Sequence, residues 1–208
     1  MPLRLHQREA LDAWRRSISA GVSRGWIVLP PGAGKTMVGV RAIRESGRTG
    51  VIFSPSIAIR GQWQAAAPEV RCLTYQALAN FGDDPGGSTQ LARLHPNGRA
   101  LVAELAATGN LMIVLDECHH LLRVWGRLLS EVLGLLPDAV VLGLTATPAT
   151  ALTGAEATLE NELFGEITYS ATIPQVVAAG DLVPYQELGW LTNPTAAERD
   201  WLGEQQGR

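Results

Sequence analysis

The chain contains a single lysine, Lys35, in a stretch whose residue types suit the binding of phosphate. The stretch reads Pro-Gly-Ala-Gly-Lys-Thr over residues 31–36 and follows an apolar run at 26–29. Of the 17 lysine and arginine residues, all except Lys35 are arginine. An ammonium group is a compact, mobile charge that can reach the outer phosphates of a nucleotide, and the planar guanidinium group is a poor substitute there. The position of the one lysine therefore indicates a nucleoside triphosphate as ligand.

A glycine-rich loop between a strand and a helix is the setting in which a phosphate-binding loop works. Glycines let the backbone approach the phosphates, and N–H groups at a helix N-terminus form a cradle for an anion. The general pattern has a glycine six residues before the lysine, where this chain has Leu29. A glycine-rich turn without a ligand is the alternative interpretation. The predicted nucleotide-binding residues are Pro31, Gly32, Ala33, Gly34, Lys35 and Thr36.

Two neighbouring carboxylates, Asp116 and Glu117, follow a second apolar run at residues 111–115. Carboxylates at the end of a buried strand are costly unless a cation or polar groups pair with them. Together with the loop, they predict a catalytic site in which Lys35 contacts the β- and γ-phosphates and the Thr36 hydroxyl and Asp116 ligate Mg²⁺. Glu117 then acts as the base, or positions the attacking water. Taken alone, the acid pair could simply cap the following helix.

The segments that must position these residues alternate between short apolar runs and helical patterns. Apolar runs of four to six residues that are nearly uninterrupted are typical of strands covered on both faces of a parallel sheet. The sequence therefore predicts a doubly wound, mostly parallel α/β sheet flanked by helices, with the loop at the carboxyl end of its strand. An exposed loop is expected over residues 80–98. Strands are predicted at 26–29, 50–53, 70–73, 111–115 and 139–144, and helices at 5–20, 35–46, 57–67, 99–108, 121–135 and 155–163.

Composition limits the class of protein. The 208 residues are 46% hydrophobic and 18% charged, which is ordinary for a globular α/β domain. No apolar run approaches the roughly 18 residues of a membrane span, and residues 1–4 do not start a secretory signal. Cys72 and Cys118 lie in apolar surroundings and are expected to be buried, reduced thiols. These features predict a cytoplasmic protein without a membrane partner. The net charge of −3 neither requires nor excludes a local face for nucleic acid.

The order of these segments resembles the first RecA-like lobe of a superfamily 2 helicase or translocase, over almost the whole chain. Lys35 and Thr36 match motif I of that superfamily, residues 116–119 (Asp-Glu-Cys-His) resemble motif II, and residues 145–147 (Thr-Ala-Thr) resemble motif III. The resemblance implies a P-loop ATPase that uses ATP and Mg²⁺. It also implies that His119 couples the nucleotide site to motif III or to a partner lobe, and the alternative interpretation is a local hydrogen bond at the start of a helix.

Three further segments resemble motifs of the same superfamily. Residues 5–10 are similar to the glutamine motif, which implies that Gln7 recognises the edge of the adenine base. Residues 54–63 and 74–76 resemble segments that contact the nucleic-acid backbone, and Trp63 is the one tryptophan beside them. The residues implied to contact nucleic acid or to couple it to the nucleotide are Ser54, Pro55, Gln62, Thr74, Tyr75, Thr145 and Thr147.

Several short sequence segments resemble those of the XPB-like and type III restriction-subunit branch of the superfamily. They are the Gln-Trp pair at 62–63, the Asp-Glu-Cys-His-His run at 116–120, and the segments 163–165 and 180–184. That branch acts mainly on DNA and often moves along duplexes, so the resemblance implies duplex DNA as partner, with RNA less favoured. The rival interpretation is a binding module that takes up nucleotide without turning it over.

No segment after Thr147 resembles motif VI, which carries the arginine fingers of the second lobe in this superfamily. Such fingers are worth roughly 10³–10⁵ in rate. We therefore expect residues 1–190 to form the first lobe and residues 191–208 a linker or helix leading toward a second RecA-like lobe, supplied in cis or in trans. We expect the isolated lobe to hydrolyse ATP slowly or not at all.

Overall fold

The computed structural model describes residues 2–78, 90–91, 94–118, 126–148, 152–184, 195, 198–199 and 201. Within these ranges strands and helices alternate along the chain, as the apolar runs predict, except that two helices follow the third strand. The strands are β1 (Arg24–Val28), β2 (Thr49–Ser54), β3 (Arg71–Thr74), β4 (Leu111–Asp116), β5 (Val140–Thr145) and β6 (Ile167–Ser170). The helices are α1 (Leu5–Ser19), α2 (Lys35–Ser46), α3 (Ile57–Ala66), α4 (Tyr75–Leu78), α5 (Pro96–Thr108), α6 (Gly126–Gly134), α7 (Gly154–Phe164) and α8 (Ile173–Ala178).

The six strands form one sheet in the order β3-β2-β4-β5-β1-β6, and every neighbouring pair is parallel. The predicted doubly wound parallel architecture is confirmed. The five predicted strands are all present, with ends displaced by at most two residues. The edge strand β6 was not predicted, because its four residues, Ile-Thr-Tyr-Ser, are half-buried or exposed and carry little apolar signal.

The core lies on both faces of the sheet. All six residues of β4 and all six of β5 are buried, as expected for central strands of a parallel sheet. Helices α1, α2 and α3 cover one face through side chains such as Leu11, Val38 and Trp63. Helices α5, α6 and α7 cover the other face through side chains such as Leu101 and Leu128. Two apolar layers thus hold the strand ends in fixed relative positions.

The prediction of an exposed loop over residues 80–98 is wrong at its C-terminal end. Helix α5 begins at Pro96 and not at residue 99, and Leu94 is buried against the core. The Asn97 N–H donates to the His95 side chain at 3.3 Å, which caps the helix. A proline in the first helical position already has the backbone angle that the helix requires. Residues 79–89, and the predicted helix start at 121, lie outside the described residues.

The two cysteines are free and buried, as predicted. Burial raises the pKa of both thiols, which keeps them protonated and unreactive. Among the described residues, no helix has the length and apolar character needed to cross a membrane. The predicted domain boundary at residue 190 lies outside the described residues and stays a prediction.

Candidate nucleotide-binding site

The predicted site lies where three neighbouring strands end. In the sheet, β5 is placed between β4 and β1. Asp116 is the last residue of β4, Thr145 is the last residue of β5, and the glycine-rich loop follows β1. Parallel strands present their carboxyl ends at one edge, so the topology brings these three segments together.

The loop has a backbone that only glycine adopts easily. Gly32 and Gly34 have φ of +78° and +87°, in the left-handed region. A Cβ on Gly34 would also collide with the Nε2 atom of Gln7. Helix α2 begins immediately afterwards at Lys35, and its N-cap residue, Gly34, supplies no side-chain acceptor. The first N–H groups of such a helix are donors that suit an anion.

An open cleft of about 270 Å³ lies beside this loop. The loop forms one side, the acid pair forms another, and helix α3 contributes the rim. The residues that line the cleft are Gly32, Gly34, Lys35, Thr36, Ile59, Gln62, Asp116 and Glu117. The structure therefore brings four of the six predicted loop residues, Gly32, Gly34, Lys35 and Thr36, together with both acids, whereas Pro31 and the buried Ala33 do not line the cleft.

Glu117 turns toward the lysine. Its φ of +52° is uncommon for a residue other than glycine, and backbone strain of this kind is concentrated at functional sites. Its Oε1 lies 3.3 Å from the Nζ atom of Lys35. The hydroxyl of Thr145 lies 3.5 Å from Glu117 Oε2 and 3.2 Å from the carbonyl oxygen of Thr147. The base predicted from the sequence thus contacts both the loop lysine and the segment that resembles motif III.

Asp116 is 5% exposed and is held at two atoms. The indole N–H of Trp63 donates to its Oδ2 at 2.7 Å, and the hydroxyl of Tyr75 donates to its backbone oxygen at 2.7 Å. Burial raises the pKa of Asp116, and the Glu117 carboxylate acts in the same direction, whereas the Trp63 hydrogen bond and Lys35 oppose the rise. A buried carboxylate of this kind is well suited to a cation.

The loop itself is held from behind by the start of helix α1. The Nε2 atom of Gln7 donates to the Ala33 oxygen at 2.9 Å, and the Nε2 atom of His6 lies 2.8 Å from the same oxygen. The other ring nitrogen of His6 lies 3.2 Å from Asp181 Oδ2. Gln7 Oε1 also accepts from the Arg4 N–H at 3.0 Å. Gln7 therefore contacts the loop here, and its role toward adenine stays a prediction.

Some residues predicted to contact nucleic acid are inside the protein. Ser54 and Tyr75 are buried, so neither side chain is on a surface that a nucleic acid could touch in this structure. Trp63 is also buried, which rules out base stacking by its indole here. Gln62 is exposed and lines the rim of the cleft. His119 lies outside the described residues.

The predicted set misses three residues that hold the site together: His6, Trp63 as a hydrogen-bond donor, and Asp181. The sequence carries a signal for the first two, because His6 precedes Gln7 and Trp63 follows Gln62 in segments already singled out. Asp181 also lies in a segment already singled out, 180–184, but nothing in the sequence pairs it with His6, which is 175 positions away along the chain.

Residues 1–150 match the family described as type III restriction enzyme, res subunit. The chain belongs to this family. It therefore has the N-terminal RecA-like lobe of a superfamily 2 helicase, in the branch that includes XPB and the type III restriction subunits, as its motifs predict. Membership identifies the chain as a helicase-type motor lobe.

Two XPB proteins are similar in sequence to this member of the family. The DNA 3'-5' translocase XPB2 of Sulfurisphaera tokodaii is 30% identical over 146 residues, which covers 70% of this chain and 31% of that protein. The DNA 3'-5' helicase XPB of Mycobacterium tuberculosis is 31% identical over 153 residues, covering 70% of this chain and 26% of the other. The chain spans less than a third of the length of either relative.

Solved structures show the same fold at lower identity. The Pyrococcus furiosus Hef helicase domain has a TM-score of 0.53 at 21% identity, covering 84% of this chain and 39% of that one. The type ISP restriction-modification enzyme LlaBIII bound to DNA has a TM-score of 0.59 at 15% identity, covering 86% of this chain and 16% of that one. At these identities the likeness concerns the fold alone.

Proposed function

We propose that this chain is the first motor lobe of an ATP-dependent DNA translocase or helicase. The observation that carries the proposal is the meeting of Lys35, Thr36, Asp116 and Glu117 in one cleft at the carboxyl ends of β1 and β4. A lysine on a glycine loop, opposite an acid pair, is the arrangement that phosphoryl transfer from ATP requires.

The residues around the cleft fit ATP with Mg²⁺. Gly32 and Gly34 keep the loop backbone free of side chains, so a phosphate can approach the N–H groups closely. The Thr36 hydroxyl and the Asp116 carboxylate are oxygen ligands of the kind that Mg²⁺ prefers. When bound, Mg²⁺ would neutralise charge on the phosphate oxygens. The protein residues then bind and orient the reactants.

In this proposal Lys35 binds the outer phosphates, and Glu117 orients the attacking water and accepts its proton. Glu117 lies within 3.3 Å of the lysine, so both groups face the same point in the cleft. Thr145 stands beside Glu117 and contacts Thr147, which is exposed. This chain of contacts supports a link from the base to the surface that would face a second lobe supplying arginine fingers.

DNA is the proposed substrate because two relatives are a DNA translocase and a DNA helicase by name. The residues available to touch its backbone are at the same edge of the sheet, where Gln62 and Thr147 are exposed and Pro55 and Thr74 are partly exposed. Contacts of this kind position a duplex without reading its sequence.

The test is ATP hydrolysis by the complete gene product, with and without duplex DNA, single-stranded DNA and RNA. We expect duplex DNA to give the largest stimulation, and Lys35→Ala and Glu117→Gln to abolish it. Glu69→Gln is the matched control, because Glu69 pairs with Arg44 on the exposed surface. Tight ATP binding without stimulation by any nucleic acid would contradict the motor and leave a binding module gated by nucleotide.

A further inference from the structure

Trp63 is a buried residue whose only hydrogen-bonding group points at the acid pair. It lies on α3, is 1% exposed, and donates its indole N–H to Asp116 Oδ2 at 2.7 Å. Indole has one donor and no acceptor. A hydrogen bond to a charged acceptor is stronger than one between neutral groups, and it restricts the rotation of the carboxylate. The position of α3 therefore influences where the second oxygen of Asp116 points.

The same tryptophan also packs against the helix that begins at Lys35. A Cβ on Gly39 of α2 would lie 2.7 Å from the Cη2 atom of Trp63, so the indole fits closely against the backbone of α2. One side chain of α3 thus contacts both halves of the cleft, namely the helix behind the loop lysine and the carboxylate of Asp116. A shift of α3 cannot leave both undisturbed, because packed interiors do not deform continuously.

Tyr75 holds the same acid residue from another element. It is the first residue of α4, immediately after β3, and its hydroxyl donates to the backbone oxygen of Asp116 at 2.7 Å. Its ring is stacked on Phe53 of β2, with centroids 6.2 Å apart and planes 12° apart. Asp116 is therefore fixed at its side chain by α3 and at its backbone by the β3–α4 junction.

These two elements contain the segments that resemble nucleic-acid contacts, residues 54–63 and 74–76. We propose that Trp63 and Tyr75 are positioning residues that transmit nucleic-acid binding at these segments to the Asp116 carboxylate. The inference rests on the proposed function. Gln62 and Thr74 would touch the nucleic acid at the surface, and the residue after each of them in the chain, Trp63 and Tyr75, hydrogen-bonds to Asp116.

Trp26 provides a matched control within the same molecule. It is also a buried tryptophan, 3% exposed, but its Nε1 has no hydrogen-bond partner among the described residues. Trp63→Phe and Trp26→Phe remove the same atoms from a packed core, and only the first removes a donor from the acid pair. A difference between the variants therefore reports the hydrogen bond and not the loss of volume.

The experiment uses the complete gene product and two readouts. The first is the Mg²⁺ concentration at half-maximal binding of a fluorescent ATP analogue, and the second is the ratio of hydrolysis rates with and without duplex DNA. Loss of a residue that orients a metal ligand typically weakens metal binding by 10–100-fold. We expect Trp63→Phe to raise the Mg²⁺ requirement about 10-fold and to lower the rate ratio toward one. Trp26→Phe should keep both wild-type values.

Tyr75→Phe is the second variant, because it removes one oxygen and leaves the stacked ring in place. We expect changes in the same direction as for Trp63→Phe, while Tyr169→Phe, which loses only an exposed hydroxyl bonded to Glu9, should behave as wild type. The inference is overturned if Trp63→Phe matches Trp26→Phe in either readout. A wild-type protein that neither binds the analogue nor responds to DNA would instead overturn the proposed function.

Discussion

The two sides of the proposed nucleotide cleft are supported in different ways. On the loop side, His6 and Gln7 hold the backbone oxygen of Ala33, and both come from the start of α1. On the acid side, Trp63 and Tyr75 hold Asp116, and both come from segments that resemble nucleic-acid contacts. The loop is therefore tied to the N-terminal helix, whereas the acid is tied to the surface where DNA is proposed to bind.

This difference predicts that the two sides affect different measurable properties. Substitutions of the residues that hold the loop, such as His6, should alter nucleotide affinity by the same factor whether or not DNA is present. Substitutions of the residues that hold Asp116, namely Trp63 and Tyr75, should alter how strongly DNA stimulates ATP hydrolysis. Coupling of this kind is a difference in free energy between two ligation states, so it can be measured separately from affinity.

The largest effect is expected where the two sides meet, at the Lys35–Glu117 pair. Glu117→Gln keeps the size of the side chain and removes the base, which contributes about 10²–10⁴ in rate. We expect hydrolysis to fall by that factor while ATP still binds. Lys35→Ala should weaken binding as well as hydrolysis, as a titration with the ATP analogue would show. Glu117→Gln with a wild-type rate would contradict the assignment of the base.

Gly34→Ala should give the next largest effect, on the loop side alone. The new methyl group meets Gln7 Nε2, and the left-handed backbone is itself unfavourable by about 1–2 kcal/mol. We expect nucleotide affinity to fall at least about 10-fold, since the loop must shift and release Gln7.

Gly47→Ala is the control for the backbone strain in that experiment. Gly47 also has a positive φ, +65°, but no atom of the described residues comes within 4 Å of a Cβ built there. It should lose stability and keep its affinity for nucleotide, as a melting curve and a binding titration would show. Equal affinities for the two alanine variants would mean that the contact with Gln7 does not position the loop.

His6→Ala should give the smallest effect, because Gln7 still donates to the Ala33 oxygen. His6→Ala removes its contacts with both Ala33 and Asp181, but only the contact with Ala33 bears on the loop. One hydrogen bond of about 0.5–1.5 kcal/mol corresponds to about 2-fold to 10-fold weaker nucleotide binding. The ratio of rates with and without duplex DNA should not change. Glu9→Gln, on the same helix but bonded to Tyr169, is the control. A lowered rate ratio in His6→Ala would remove the distinction between the two sides.

The side chains proposed to contact the ligand could be predicted from the sequence. Most of the side chains that position them could not. The chain has a lone lysine after glycines and two acids at the end of an apolar run. Few structural roles other than ligand binding require these residue types at these positions. An indole such as that of Trp63 suits many buried positions, so its donor role appears only when Asp116 is seen 2.7 Å away. Asp181 reaches His6 only through folding, because β6 and α8 return that part of the chain to the loop.

Most of the fold could be predicted from the apolar runs in the sequence. Nearly uninterrupted apolar runs predicted the five strands β1 to β5. Four of these are central strands, which are buried on both faces in a parallel sheet, and β3 lies at an edge. The rule failed at β6, where an edge strand is covered incompletely, and at Pro96, where Pro-Asn-Gly looks like a turn but starts α5. Local residue preferences oppose neither structure, because Ile, Thr and Tyr favour strands and proline favours the first turn of a helix.

The most direct test of the two-sided account is the dissociation constant of the ATP analogue with Mg²⁺, measured with and without duplex DNA. It would be determined in the wild-type protein, His6→Ala and Trp63→Phe. The account predicts that His6→Ala raises both constants by one common factor, while Trp63→Phe abolishes the difference that DNA makes. If His6→Ala reduces the effect of DNA as much as Trp63→Phe does, the two sides are not separate and the account is wrong.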